Sequence, residues 1–346
     1  MLLVTGACGH LGRALVDRLL AGGAAVRSFD LRPHPDPRVE SHVGDIRDSD
    51  AVVRACAGVH TVFHTAAVIH LGLGRDPDVH AVNVGGTTNV IAACRAAGVR
   101  RLVATSSQDV VYGGRPIAGG DEALPYPARH LDCYGETKAE AERLVRGACD
   151  ADLLTCAIRP TGIYGPHDNQ RFPPILRAAR AGRLFYMGDG RARFSHVYVE
   201  NVAHAHLLAA DRLGGGSPAA GAAYFVTDSE PANFIAFFVP FLEGLGLRPP
   251  THRIPGWALW ATAATCELLW RVAPSERTAN PTLTRFIVGN ICDDLWFTSV
   301  KAQRELGYAP IVDEVTARAS TLAWLRDEWL PAERRATAVP SARVAA

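Results

Sequence analysis

The chain has 346 residues, 48% of them hydrophobic and 21% charged, enough for one large α/β unit or two coupled ones with an ample core. Lys and Arg number 36 against 35 Asp and Glu, a formal net charge of +1, so no global field draws the chain to nucleic acid or an anionic membrane, and small-molecule chemistry is the default. Eight scattered cysteines with no C-x-x-C pair read as reduced core residues of a cytosolic protein, and strand-like residues from Leu2 onward predict no signal peptide.

Leu2-Leu3-Val4-Thr5 predicts a short strand, Gly6-Ala7-Cys8-Gly9-His10-Leu11-Gly12 follows at once, and Leu15, Val16, Leu19 and Leu20 then recur at helical spacing. Glycines between a strand and a helix let the backbone pass close to a pyrophosphate, and the helix N-terminus offers N–H groups and the positive end of a dipole to hold it. The turn from Gly6 to Gly12, with Cys8, Gly9, His10 and Leu11 on it, is therefore the expected dinucleotide site. The next strand, Ala25 to Phe29, ends in Asp30, eighteen residues after Gly12. A carboxylate there accepts hydrogen bonds from the adenosine ribose hydroxyls and repels a 2′-phosphate, which predicts NAD over NADP; Arg32, two residues on, works against that discrimination.

Strands are also expected ahead of Gly44, up to His64, and from Arg101 to Thr105 before Ser106-Ser107, with a long helical stretch from Asp76 to Gly98. Asp132-Cys133-Tyr134-Gly135-Glu136-Thr137-Lys138 opens a further helix, placing Tyr134 and Lys138 at i and i+4 on one face. An ammonium beside a phenol stabilises the phenolate, so the pairing is expected to lower the Tyr134 pKa from about 10 towards working pH. A phenol so tuned can take a proton from an alcohol while a hydride leaves the same carbon. The pattern is weak alone; the glycine turn gives it context. Leu153 to Ile158 predicts a sixth strand, running into a rigid turn at Arg159-Pro160-Thr161-Gly162-Ile163-Tyr164-Gly165-Pro166. Glu136 and Arg159 are expected to serve structural pairing, and His204 and His206, which point apart on a helix, are not expected to hold zinc. The alternation predicts an α/β fold: a doubly wound parallel (Rossmann) sheet over 1–160, a smaller substrate cap mainly over 161–330 with segments returning to the core, and a disordered tail over 331–346.

With the spacing Gly-x-x-Gly-x-x-Gly, Thr5 ahead of it, Gly44-Asp45-Ile46-Arg47-Asp48, His64-Thr65-Ala66-Ala67, Ser107 and the Tyr134/Lys138 pair, the first half resembles the extended short-chain dehydrogenase/reductases. The resemblance implies that Asp45 and Ile46 lie beside the adenine, that the Ala66-Ala67 backbone runs along the cofactor, and that Asn83 lies near it, helix packing being the alternative for Asn83. It implies that Ser107, chosen over Ser106 by placing Val110 on the family's valine, holds the substrate oxygen. It further implies that Lys138 holds the nicotinamide ribose, that Pro160 to Ile163 border nicotinamide and substrate, and that the helices of Asn83 and Tyr134 form a homodimer surface.

Two later segments narrow the branch. Ser195 to Ala210 is similar to the Val-x-Asn-Val-Ala-x-Ala-His pattern of the 3β-hydroxysteroid dehydrogenases and departs from sugar epimerases, which have aspartate where Asn201 stands. Asn233 to Leu242 and Ile254 to Ala261 are more aromatic and apolar than a sugar-nucleotide site needs. The thirteen uncharged residues from Ile254 to Cys266 fall short of the roughly 18–20 that span a bilayer. They read as core or dimer face, as a lid over an apolar ligand, or as a membrane-surface element over 254–271. With Pro281 to Phe286 and Lys301 to Pro310, this half resembles sterol-4-carboxylate 3-dehydrogenases and bacterial 2-alkyl-3-oxoalkanoate reductases. The implied activity is NAD-dependent oxidation of a sterol or steroid 3β-hydroxyl by Ser107, Tyr134 and Lys138, without a metal. The alternatives are chemistry at C3 of a long-chain 2-alkyl-3-oxygenated acid, nucleotide-sugar epimerisation or dehydration, and dinucleotide binding without turnover.

Overall fold

The structure, a computed structural model, describes residues 1–70, 76–272 and 283–338. Its centre is a seven-stranded parallel sheet made of β1 (Leu2–Thr5), β2 (Val26–Asp30), β3 (Glu40–Val43), β4 (Thr61–His64), β5 (Arg101–Thr105), β6 (Leu154–Pro160) and β7 (Ala223–Val226). The spatial order is β7-β6-β5-β4-β1-β2-β3. The chain therefore winds outward in one direction from β1 through β3 and in the other from β4 onward, and the crevice at the carboxyl ends of β1 and β4 is where ligands of such sheets bind. Thr5 stands opposite Phe29 and His64, so Asp30, His64 and the glycine turn emerge at one level.

Helices cover both faces, which is why β4 is buried at every residue. On one face α1 (His10–Ala21) packs with α5 (Val199–Arg212) through Leu15, Val16, Val202 and Ala209; on the other, α2 (Ser49–Cys56) packs with α3 (Gly86–Ala96) through Val52, Ala55, Val90 and Ala93. The long stretch expected from Asp76 is a helix Pro77–His80, a π turn Ala81–Gly85 and then α3. The helix α4 (Cys133–Gly147) carries the tyrosine and lysine. Both α5 and β7 come from beyond Pro160, so chain past that point completes the sheet and its helix layer. The rest is built on three short strand pairs, Gly162–Tyr164 with His196–Tyr198, Tyr186–Met187 with Arg253–Ile254, and Ile117–Gly120 with Leu295–Phe297, and on helices including α6 (Gly256–Val272) and α7 (Arg285–Cys292).

Two apolar runs left open by the sequence are narrowed, and one stretch differs from expectation. In the run Asn233 to Leu242, Phe237, Phe238 and Phe241 are core: they pack around Tyr164 and Phe172, with Phe172 and Phe241 edge to face at 4.9 Å. The α6 segment is not plain core, since only Leu259, Ala263 and Glu267 are buried while Trp257 is 77% exposed. From Leu330 to Ala338 the chain is helical where disorder is expected from Pro331. The buried Leu325 and Trp329 lead into this helix, and Arg177 ties it through Glu333 at 2.6 Å. Pro281, Thr282 and 339–346 lie outside the described residues. Among the described residues no helix is long and apolar enough to cross a membrane.

Candidate active site

The glycine turn is a cradle that side chains would fill. Gly6 has φ 70°, and a Cβ on it would lie 2.7 Å from Ala66 N; one on Gly12 would lie 2.1 Å from Gly6 O. Gly9 caps α1 without any side-chain acceptor for the first-turn N–H groups, which leaves them for an anion. These features fit a dinucleotide pyrophosphate. Asp30 sits at the lip, where one carboxylate oxygen accepts from Cys8 N at 2.9 Å, and the Arg13 and Arg32 guanidinia both donate to Cys8 O. His10 is half-buried with its Nε2 enclosed and unpartnered, and desolvation drives its pKa down to about 4. Leu11 is buried in the core, so only its backbone can face a ligand.

The residues assigned to the adenine side are also at the crevice. Asp45 is gripped by the Arg47 guanidinium at 2.7 Å, which holds its carboxyl below the ordinary range. Ile46 is buried against Gly86, where a Cβ would meet its side chain at 2.6 Å. Ala66 N approaches Thr5 Oγ1 at 3.4 Å, and Ala67 beside it is exposed. Asn83 uses its whole carboxamide for packing: Oδ1 accepts from Val68 N at 2.8 Å, while Nδ2 donates to Val68 O and to Thr137 Oγ1. It fastens the segment after β4 to α4.

The catalytic candidates meet at the end of β5. Asp132 caps α4 by accepting from Gly135 N at 3.1 Å, and the helix then brings Lys138 under the strand, where Nζ donates to Thr105 O at 2.5 Å. Burial pulls the Lys138 pKa down to about 8, opposed by Glu142. The expected lowering of Tyr134 is overturned. Burial first, then the negative fields of Asp109 and Asp132, push the phenol above its ordinary value, and the nearby Ser107 hydroxyl pulls the other way. The ammonium is engaged with the Thr105 carbonyl, and two carboxyls decide the field at the phenol. Ser107 also donates to Asp109 Oδ2 at 2.9 Å, whereas Ser106 is committed to Glu142 Oε2 at 2.5 Å. Ser107 is thus the hydroxyl beside the phenol.

Behind this group lies a buried network. Glu142 receives two hydrogen bonds from Arg159, at 2.9 and 2.6 Å, and one from the Tyr126 hydroxyl at 2.5 Å. Arg159, taken above as a structural pairing residue, is so used, but 2% exposed rather than at the surface. Pro160 ends the same strand, and Ile163 follows opposite Val197 in the next short pair. His206 Nδ1 faces the Val202 carbonyl and Nε2 faces Thr105 Oγ1, both at 2.8 Å. A carbonyl only accepts, so Nδ1 carries the proton and the threonine donates to Nε2. His64 bridges Thr5 and Thr87, at 2.8 and 3.0 Å, in the same neutral way. Sequence reasoning missed Asp109 and Glu142 and gave His64 and His206 no such bonds; Glu142, one turn past Lys138 on the same face, had a readable signal. No metal-holding cluster exists among the described residues.

Comparison with known proteins separates the branches that share this architecture. The chain is 42% identical over 321 residues to a 3 beta-hydroxysteroid dehydrogenase/Delta 5-->4-isomerase of Mycobacterium tuberculosis, covering 89% of this chain and 86% of that one. It is 39% identical over 313 residues to a bovine (Bos taurus) sterol-4-alpha-carboxylate 3-dehydrogenase, decarboxylating, covering 89% and 88%. Among solved structures it is similar to MoeE5 in complex with UDP-glucuronic acid and NAD, at 26% identity and a TM-score of 0.71, covering 94% of this chain and 98% of that one. The sequence model of the 3-beta hydroxysteroid dehydrogenase/isomerase family matches residues 3–255, and on that match the chain belongs to this family.

Proposed function

We propose that the protein oxidises the 3β-hydroxyl of a sterol or steroid to a 3-ketone with NAD as acceptor. The observation that carries the reading is the meeting of Ser107, Tyr134 and Lys138 at the end of β5, next to a glycine cradle fit for a dinucleotide. Bound NAD would supply the acceptor for the hydride leaving the carbinol carbon. Gly6, Gly9 and Gly12 and the N-terminal turn of α1 would hold its pyrophosphate, Asp30 its adenosine ribose, and Lys138 its nicotinamide ribose. Ser107 orients the hydroxyl and Tyr134 takes its proton. Incubation with NAD and either a 3β-hydroxysteroid or a long-chain 3-hydroxy acid, followed at the reduced-nicotinamide band, tests this. Turnover of the steroid supports it, and turnover of the acid alone would contradict it.

Asp30 sets the cofactor preference. Asp30→Asn is expected to lower kcat/KM for NAD about ten-fold or more and to narrow the gap to NADP. An unchanged NAD/NADP ratio would remove Asp30 from that role.

The protein works in the cytoplasm as a homodimer, with peripheral membrane contact through 254–271 where the apolar substrate is collected. What supports the membrane contact is the outward stripe of α6: Trp257, Leu268 and Val272, exposed by 77, 59 and 67%, lie opposite buried Leu259, Ala263 and Glu267. Sedimentation tests both points. The protein alone is expected at twice the chain mass, and anionic phospholipid vesicles should pull it down unless Trp257 and Leu268 are changed to serine. A single-chain mass, or vesicle binding indifferent to those changes, would contradict the respective point.

A further inference from the structure

Beyond Ser107 the site is walled by acid. Asp109, two residues on, accepts from Ser107 Oγ at 2.9 Å, and it adds to the negative field at Tyr134, Tyr112 and Asp132. Asp132 lies across from it at the start of α4, with Asp132 Oδ1 and the Asp109 carbonyl both about the Gly135 α-carbon, 3.0 and 3.1 Å from where a Cβ would stand. From a third side, Tyr112 is 1% exposed and its hydroxyl has no hydrogen-bond partner; it points to Gly289 of α7, next to Asp293. Among the described residues neither Asp109 nor Asp132 has an ion-pair partner, and Lys138, the cation of this group, is bonded to Thr105 O. Burial raises Asp109 to about 6 and Asp132 to about 7. His130, a further titratable neighbour facing Glu136 and Arg143, is bonded to Val110 O and held below its usual value by burial; Cys133 and Cys292 adjoin Asp132 and Tyr112.

We infer that Asp109 is a specificity-determining residue that makes the site select 3β-alcohols bearing no charge on the neighbouring ring carbon and reject those bearing a carboxylate there. The inference rests on the reading of Ser107 and Tyr134 as the groups that hold the reacting oxygen. If Ser107 Oγ binds that oxygen, its second partner, Asp109 Oδ2, is the next charge the substrate meets. A carboxylate one carbon from the carbinol would be brought against it with no cation between, and like charges at close range in a half-buried site repel. The curated relatives include both substrate kinds, an un-carboxylated steroid alcohol and a sterol-4-carboxylate by their names, so the residue decides between two real alternatives. Exclusion by an unfavourable charge is a recognised route to specificity. It acts fully where Asp109 is ionised and fades as pH falls through about 6.

The test compares two steroids of one ring skeleton, one with a carboxylate and one with a carboxamide at C4, so that size is matched and charge differs. At pH 8 wild type is expected to favour the carboxamide by at least ten-fold in kcat/KM. Asp109→Asn, whose side-chain oxygen can still accept from Ser107, is expected to cut that preference at least ten-fold, mainly by improving the carboxylate. Wild type alone gives a second measure, because its preference should shrink between pH 8 and pH 5.5, so a poorly folding variant leaves the question decidable. A preference absent in wild type, constant over that pH range, or unmoved by the substitution overturns the inference. If instead no 3β-hydroxysteroid of either kind is turned over by folded protein with NAD, the underlying reading of the site has failed.

Discussion

Tyr134→Phe is expected to lower kcat for steroid oxidation by about 10²- to 10⁴-fold, the span covered by a positioned proton acceptor, while NAD affinity changes little. The substitution removes one oxygen and keeps the ring, so the start of α4 and the Asp132 cap stay as they are. Lys138, which would hold the nicotinamide ribose, keeps its bond to Thr105. A pH consequence follows with a definite sign. Oxidation needs the phenol to accept a proton, and burial with Asp109 and Asp132 holds that phenol above its ordinary value. Wild-type kcat therefore rises with pH into the alkaline range instead of levelling near neutrality, and Asp109→Asn, by removing a negative neighbour, moves the rise to lower pH. Steady-state rates from pH 6 to 10, with NAD binding measured calorimetrically, check each part. A phenylalanine variant keeping more than a tenth of wild-type turnover would remove Tyr134 from the chemistry.

The largest stability effect is expected from Glu142→Ala. Glu142 and Arg159 are each 2% exposed and share two hydrogen bonds. Deleting the carboxylate strands a guanidinium in the core, at a cost of about 3–5 kcal/mol. Ser106 and Tyr126 lose their acceptor as well. Removing both charges together, as in Glu142→Leu with Arg159→Met, costs less than the single change, because no charge is then left unpaired. Burial pushes Glu142 up, but the Arg159, Ser106 and Tyr126 bonds outweigh it and hold the carboxyl below its usual value. The stabilisation is thus fully present above about pH 4.5 and lost as pH falls through the lower folded value. Urea unfolding at pH 7 of wild type, single and double variants measures this; equal stabilities would show the pair to be dispensable.

The parts of the fold written in local pattern were legible: the strand and glycine turn at Leu2 to Gly12, the acidic strand end at Asp30, and Tyr134 and Lys138 one turn apart on α4. Each is a statement about spacing within a few residues, which backbone geometry turns directly into structure. What depends on partners distant in sequence was not legible. The choice of Ser107 came from resemblance; the structure's own reason is that Glu142, 36 residues on, occupies Ser106. The field at Tyr134 was misjudged because the ammonium four residues away is local and visible, whereas Asp109 arrives from another segment and burial from the whole fold. Aromatic runs were ambiguous for the same reason. Phe237 and Phe241 found Tyr164 and Phe172 and became core, while Trp257, in a segment just as apolar, faces outward.

The most direct test is to supply a 3β-hydroxysteroid deuterated on its C3 carbinol carbon with NAD and analyse both products. The expected products are a 3-keto steroid and reduced NAD carrying the deuterium at C4 of its nicotinamide, both lost with Tyr134→Phe. A folded, NAD-binding protein that leaves 3β-hydroxysteroids unoxidised, or a ketone formed without deuterium passing to the cofactor, would contradict it.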